Sequence, residues 1–198
     1  KFNKSGSVRE YATYIGGSGE DQPHSLIEDS HGNLVILGRT NSPLNGSGAY
    51  PLLPSGNTEG PCGSYDIVVT KLNASGSNLV GSKRMGGTGN DGVNVSADRS
   101  GPSSIKLFYG DDSRSEVIVD ASDNIYFVGS TQSTSGTASS RFPTTTGAAQ
   151  STPGGAQDGV VAKLSPDVNT LIFSTFLGGG GDDGAYVLAL NPVNNNLY

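Results

Sequence analysis

The sequence predicts an all-β fold made of repeated four-stranded units, and two observations support this. First, short runs of Val, Ile, Leu and Tyr alternate along the 198 residues with clusters rich in Gly, Ser, Asn and Asp, and 30 residues are glycine. Such alternation is typical of many short strands joined by tight turns. Second, several landmarks recur in one shared register, which indicates an internal repeat rather than a chance match.

The register of the repeat is set by two independent landmarks. A Gly-Gly pair occurs at positions 16–17, 86–87 and 178–179, so its copies lie 70 and then 92 residues apart. Segments that begin Lys-Phe or Lys-Leu start at Lys1, Lys71 and Lys163 and show the same two spacings. The second unit is longer because it carries an insertion near residues 98–115, rich in Ser, Gly and Asp.

Each unit contains four strand-like runs. In the first complete unit they cover about residues 25–29, 34–40, 66–73 and 78–85. Short turns join the first two runs and the last two, as expected for antiparallel neighbours. Four antiparallel strands per repeat are typical of a β-propeller blade, and because blades pack on both faces, nearly continuous apolar runs are expected.

The repeat also predicts where the blades begin and end. We expect the end of a preceding blade and a crossover over 1–23, a blade over 24–92, a second blade with the insertion over 93–184, and the start of a further blade over 185–198. Propellers generally close with 4–8 blades. We therefore expect a partial propeller, a fragment whose remaining blades lie in a longer chain or come from a partner.

Several stretches resemble the SBBP (seven-bladed β-propeller) repeat of exported bacterial proteins. They are residues 13–21 (TYIGGSGED), 124–131, 142–145, 159–164 and 174–183. The resemblance covers nearly the whole chain. One departure is Lys83-Arg84-Met85, where the repeat has Thr-Tyr-Leu, and it predicts an irregular strand there.

The motif Gly-Gly-x-Gly-x-Asp begins at positions 16, 86 and 178 and is the main candidate for a metal site. It matches the first six positions of a calcium-binding nonapeptide repeat, but these copies are too far apart in sequence to complete each other's cages. We interpret the motif as a tight crossover whose Asp caps backbone N–H groups. The alternative is a calcium site in the loop. Its candidate ligands are Asp21, Asp91, Asp182 and Asp183.

No catalytic residue and no required cofactor are predicted. The pair Asp111-Asp112 lies in the insertion. We interpret it as part of a solvated acidic loop rather than as a cation site or an acid/base pair. The two histidines, His24 and His31, form neither a metal triad nor a Ser-His-Asp pattern in the sequence. Cys62 is interpreted as a loop residue rather than a reactive thiol.

Two further pairs of residues hold equivalent places in the repeat. Tyr50-Pro51 and Phe142-Pro143 are interpreted as rings that pin the long connection onto the blade, with sugar stacking as the alternative. Lys71 and Lys163 are interpreted as solvated charges at strand ends rather than ligand contacts.

Composition and resemblance together limit the function. The net charge of −6 and the scattered Lys and Arg argue against nucleic acid, and no apolar run approaches the roughly 18 residues of a membrane-spanning helix. The resemblance implies a secreted or cell-surface protein. We expect a non-catalytic module for binding, adhesion or scaffolding, with a protein or glycan ligand on the cell surface. The alternatives are a polysaccharide lyase or hydrolase whose catalytic groups lie largely outside this chain, and the ordered part of a subunit in a surface or secretion assembly.

Overall fold

The computed structural model describes residues 1–94 and 114–198, and its strands form two sheets. The first sheet contains β1 (Asp21–Glu28), β2 (Leu34–Thr40), β3 (Thr58–Glu59), β4 (Asp66–Leu72) and β5 (Leu79–Met85). The second contains β6 (Glu116–Val119), β7 (Ile125–Thr131), β8 (Asp158–Leu164) and β9 (Leu171–Leu177). The prediction of an all-β fold is confirmed.

Both sheets share one topology. The order β1-β2-β4-β5 in the first and β6-β7-β8-β9 in the second is antiparallel throughout, as in propeller blades. A register shift falls at Lys71/Leu72 in the first blade and at Lys163/Leu164 in the second, which is the same place in the repeat. The first blade also carries the two-residue β3, which pairs parallel with β5. The chain therefore contains two blades of a propeller.

The predicted strands of the first blade lie close to the observed ones, with two differences. β1 begins at Asp21 rather than near residue 25, because Asp21 and Gln22 continue the pairing with β2 beyond a bulge at Pro23/Ser25. The expectation of an irregular strand at residues 83–85 is wrong, because that part of β5 pairs with β4 residue by residue. The two cations on it are buried against carboxylates, so they fit within a regular strand.

The main hydrophobic core lies between the two blades. It is continuous across both sheets, and its members are fully or nearly fully buried. The first blade contributes Val35, Leu37, Ile67, Val69 and Met85, and the second contributes Val117, Ile125, Phe127, Phe142, Val160, Ala162, Leu164, Val168 and Phe176. Burial of apolar surface between the sheets fixes their relative position, since this is the dominant favourable contribution to folding.

The opposite face of the second blade is covered by the last part of the chain. Tyr126 and Val128 of β7 pack there with Ala185 and Leu188. Backbone hydrogen bonds join Ala189 to Tyr198 in both directions, and the intervening turn repeats the hairpin that connects β1 to β2. This segment therefore holds the place of a third unit, although the exact blade limits predicted from the sequence stay predictions.

The structure contains little helix. Among the described residues the helical segment is one 3₁₀ turn, Ala138–Ser140, in the connection before β8. Within the same ranges no helix has the length and apolar character needed to cross a bilayer.

Candidate functional site

The Asp of the repeated glycine motif caps the crossover that precedes a blade. The Asp21 carboxylate accepts hydrogen bonds from the Gly17 N–H at 2.8 Å, the Thr40 hydroxyl at 2.5 Å and the Ser42 hydroxyl at 3.2 Å. These donors lie on the crossover and at the end of β2. The carboxylate therefore ties the crossover to the strand beside it.

The second copy of the motif repeats this cap atom for atom. Asp91 accepts from the Gly87 N–H at 2.9 Å, from the Ser133 hydroxyl at 3.0 Å and from the Thr131 hydroxyl. Asp91 is 0% exposed, whereas Asp21 is half-buried. Both carboxylates are surrounded by N–H and O–H donors, an arrangement that serves a structural cap better than a cation.

The third copy is more open. The Asp183 carboxylate accepts from the Gly179 N–H at 2.6 Å, in the same relation as in the other copies. Asp183 is half-buried and Asp182 is exposed. The structure thus places the four sequence-predicted calcium ligands at three separate crossovers, and calcium binding stays a prediction.

A second buried carboxylate accompanies Asp91 beneath Gly86. A Cβ atom built on Gly86 would lie 1.9 Å from Asp66 Oδ1 and 2.6 Å from Asp91 Oδ2, so both oxygens face this glycine. Burial raises the pKa of Asp66 to about 6, against the opposing effect of Arg84. Burial also raises the pKa of Asp91 to about 8, and the negative charge of Asp66 adds to the increase. Only glycine fits here, since any side chain would collide with the two carboxylates.

The two repeated aromatic residues are anchors. Phe142 is 1% exposed in the core between the blades, and Tyr50 is 6% exposed with its hydroxyl 3.0 Å from Thr70 Oγ1. Neither ring presents a face to solvent, so sugar stacking on these two rings is ruled out in this conformation.

The expectation that Lys71 and Lys163 are solvated is wrong. The Lys71 ammonium lies 2.6 Å from Asp29 Oδ2 and donates to the Pro166 carbonyl of the second blade at 2.8 Å. Lys163 repeats the ion pair with Asp120 at 3.3 Å. Burial would raise the pKa of Asp29, but hydrogen bonds from Lys71 and Asn33 lower it to about 2. These lysines are therefore structural cations that join a strand end to a hairpin turn.

Cys62 and His31 have local structural roles. Cys62 is 4% exposed, and burial raises the pKa of its thiol to about 12. His31 lies in the turn between β1 and β2, as expected, and its Nδ1 is 2.9 Å from Asp123 Oδ2 in the corresponding turn of the second blade. Asp29, His31 and Asp123 lie close enough together to hold a metal ion, but Asp29 Oδ2 is already paired with Lys71.

A cleft of about 540 Å³ lies where the first strands of the two blades begin. The first blade contributes β1 residues such as Gln22 and His24, and the second contributes Arg114 and Glu116. Tyr186, from the segment that covers the second blade, completes the wall. Three consecutive units of the repeat therefore meet at one polar cleft.

Polar contacts hold the cleft walls together. His24 Nδ1 lies 2.6 Å from Ser115 Oγ, and Glu116 Oε2 accepts the Leu188 N–H at 3.1 Å. The Arg114 guanidinium lies 5.9 Å from the centre of the Tyr186 ring, within cation–π range. The cleft thus combines a carboxylate and an imidazole, which lie on β6 and β1, with a cation and an aromatic ring from the segments beside these strands.

Sequence reasoning did not find this cleft. His24 and Ser115 are 91 residues apart in the sequence. They come into contact only because β1 and β6 hold equivalent places in the repeat and lie beside each other in neighbouring blades. The spacing between repeats could have indicated the cleft, because it implies that the first strands of successive units begin near one common axis. The Asp111-Asp112 pair and most of the predicted insertion lie outside the described residues.

The comparison with protein families identifies the repeat. Residues 10–45 match the family model described as SBBP, beta-propeller repeat. The chain contains an SBBP repeat. The matched residues run from the segment before the first glycine motif to the connection after β2, so they include β1 and the Asp21 cap. The resemblance stated from the sequence is confirmed, and no curated protein matches the chain.

Proposed function

We propose that this SBBP-repeat protein is a non-catalytic binding module of the cell surface or the secreted fraction, and that it binds its ligand in the cleft between β1 and β6. The observation that carries the proposal is the convergence of three repeat units on a polar cleft of about 540 Å³. Ligand pockets are concave and place a few polar groups at defined positions, and this cleft shares both features although its lining is mainly polar.

The character of the lining supports a polar ligand such as a glycan. Hydroxyl-rich ligands need donors and acceptors at fixed positions, and Arg114, Glu116 and Gln22 provide both kinds. Tyr186 adds an aromatic surface beside Arg114. Because β1 and β6 belong to blades that share one core, the cleft residues on these two strands need little ordering when a ligand binds.

A hydrolase is the second candidate, and one contact favours it. The 2.6 Å hydrogen bond between His24 and Ser115 has the separation of a base and its nucleophile. Ser115, however, is 5% exposed, so a substrate has little access to its hydroxyl. We therefore give this contact a structural role, in which it joins the first strands of the two blades.

Binding can be tested with the full chain on an array of bacterial surface glycans, followed by titration calorimetry with each ligand found. We expect binding that weakens about 10-fold or more in Arg114→Ala and in Tyr186→Ala, as is usual for arginine and aromatic contacts at the centre of a site. Arg9→Ala is the matched control, since Arg9 is exposed and does not line the cleft. Binding that is equal in all three variants would place the ligand elsewhere.

The hydrolase alternative has its own assay. A serine with a histidine base would cleave an ester, so the assay is release of acetate from acetylated glycans. Release that is lost in Ser115→Ala with binding retained would make the protein an enzyme and contradict the non-catalytic proposal. Absence of binding to glycans and to extracted surface proteins would reject the binding module itself.

A further inference from the structure

Two buried carboxylates and one buried guanidinium lie at the joint between the blades, which consists of the loop 60–65 and the crossover 86–91. Asp66 and Asp91 are each 0% exposed. Asp66 Oδ2 is paired with the Arg84 guanidinium at 2.5 Å, while Asp66 Oδ1 has no hydrogen-bond partner. In the part of the chain that the structure describes, no ion pair is formed with Asp91. One guanidinium therefore balances only one of the two carboxylate charges.

The two carboxylates lie against the same glycine. A Cβ atom built on Gly86 would collide with both Asp66 Oδ1 and Asp91 Oδ2, so these oxygens are near neighbours. Two carboxylates that share a buried site do not both stay ionised, and one of them retains its proton. Burial raises the pKa of Asp91 to about 8 against the hydrogen bond from Thr131, and the charge of Asp66 adds to the increase. With one proton on the pair, the remaining negative charge is balanced by Arg84.

The other groups around Asp91 supply hydrogen-bond donors or are neutral. Its oxygens accept one N–H of the crossover and the hydroxyls of Thr131 and Ser133, which come from β7 and the connection after it. Arg39 of β2 lies over an aromatic ring of the loop 60–65, 4.3 Å from the centre of that ring. Burial raises the pKa of the Cys62 thiol to about 12, so the thiol is neutral. A proton is therefore the group that neutralises the second carboxylate of the joint.

We propose that Asp66 and Asp91 share one proton beneath Gly86, and that release of this proton to solvent opens the joint locally and exposes Cys62. Backbone hydrogen bonds close the joint: the Cys62 N–H donates to the Gly86 carbonyl at 3.3 Å, and the next N–H of the loop donates to the next carbonyl of the crossover at 2.7 Å. The loop 60–65 contains no strand, and such segments open at a lower free-energy cost than strands do. Repulsion between the two ionised carboxylates favours this opening. The proposal is independent of ligand binding in the cleft between β1 and β6.

The rate at which a maleimide labels Cys62 measures this opening. The native full chain is labelled with a chelator present, and its rate is divided by that of the urea-unfolded chain at the same pH. This ratio removes the pH dependence of the thiol itself. The closed joint retains a proton that the opened joint releases, because an exposed Asp has a pKa of about 3.9. We therefore expect the relative rate to rise by up to about 10-fold for each pH unit between pH 6 and pH 8.

Two variants assign the pH dependence to the buried pair. Asp91→Asn should make the relative rate nearly independent of pH, because an amide has no proton to release in this range. Asp183→Asn is the matched control and should keep the wild-type profile, since Asp183 holds the same place in the next crossover and is half-buried. A wild-type relative rate that stays constant from pH 6 to pH 8, or an equal rise in Asp91→Asn, would overturn the proposal.

Two measurements on the wild-type protein test the remaining parts of the proposal. Labelling at low urea concentrations separates local opening from global unfolding, because local opening exposes less surface and depends less on urea. A relative rate with the full urea dependence of global unfolding would contradict local opening. Infrared spectroscopy at pH 7 should show the absorption of a protonated carboxyl group that disappears as the pH rises above 8, and a spectrum without this absorption would contradict the shared proton.

Discussion

The buried carboxylate Asp91 should make the stability of the protein fall as pH rises, and replacement by Asn should remove much of this dependence. Asp91 is 0% exposed between the blades, and its pKa in the folded protein is about 8. The pKa of an unfolded Asp is about 3.9. Between these values the folded protein retains a proton that the unfolded chain releases, so stability is lost with each rise in pH.

The size of the effect follows from this difference in bound protons. One proton retained by the folded state changes the free energy of unfolding by about 1.4 kcal/mol for each pH unit. From pH 5 to pH 8 the Asp91 contribution is therefore at most about 4 kcal/mol, or roughly 8–16 °C in Tm for a chain of this length. Asp66, whose pKa is about 6, also lowers the free energy of unfolding as pH rises, at the acidic end of this range.

The charged and titratable groups that act on Asp91 are few. Asp66 of β4 lies beneath the same glycine, Arg84 of β5 is paired with Asp66, and the Cys62 thiol stays protonated across this range. In Asp91→Asn the amide oxygen can accept from the Gly87 N–H, while the amide N–H faces the Thr131 hydroxyl. The variant therefore resembles the protonated acid and should fold.

Chemical denaturation of wild type and variant at pH 5, 6, 7 and 8 measures the effect. The difference in unfolding free energy between the two proteins should change by a few kcal/mol over this range, with Asn favoured at pH 8. Groups that the two proteins share contribute equally to both, so they cancel in the difference. Asp21→Asn, in the half-buried first copy of the motif, is the control. A pH-independent difference between wild type and Asp91→Asn would refute the reasoning.

Three further predictions concern single side chains. Lys71→Ala should destabilise the protein by about 3–5 kcal/mol in urea unfolding, because it leaves the Asp29 charge buried without its cation; a loss below 1 kcal/mol would show that the pair is not buried. Phe142→Ala should lower the free energy of unfolding by about 3–5 kcal/mol, because it leaves a cavity between the blades. Tyr50→Phe should lower it by about 1 kcal/mol, because it removes one hydrogen bond. Equal losses in the two variants would contradict the environments assigned to these rings. Cys62 should resist a maleimide at pH 7 in the native protein and react after denaturation, because its thiol is buried with a pKa of about 12; rapid native labelling would contradict this.

The repeat made the strands and their pairing predictable from the sequence. The offset between Gly86 and Gly178 is also the offset between Asp66 and Asp158, so the two blades can be aligned from the sequence alone. Turn residues and apolar runs then indicated the four main strands of the first blade to within one or two residues, apart from the early start of β1 at Asp21, whereas the short β3 was not predicted. Local sequence determines these features, since strand pairing within a blade joins neighbours in the chain.

The environments of the charged residues were not predictable in the same way. Lys71 lies at the end of a strand, where solvent exposure is usual, and it is buried only because Asp29 and the second blade close over it. Arg84 breaks the apolar pattern of the repeat and is accommodated by Asp66, which is 18 residues away. The contact between His24 and Ser115 depends on the packing of one blade against the next. Such partners are set by tertiary packing, which periodicity does not encode.

The two repeat units form neighbouring four-stranded blades that share one core. Nuclear Overhauser effects on a methyl-labelled sample test it most directly. The structure predicts cross-peaks between methyl groups of the two blades in the shared core, whose members include Leu37 and Val69 of the first blade and Val117 and Val160 of the second, together with cross-strand contacts between Leu37 and Val69. Cross-strand contacts within each sheet, with no contact between the two sets, would show separate sheets and contradict the claim.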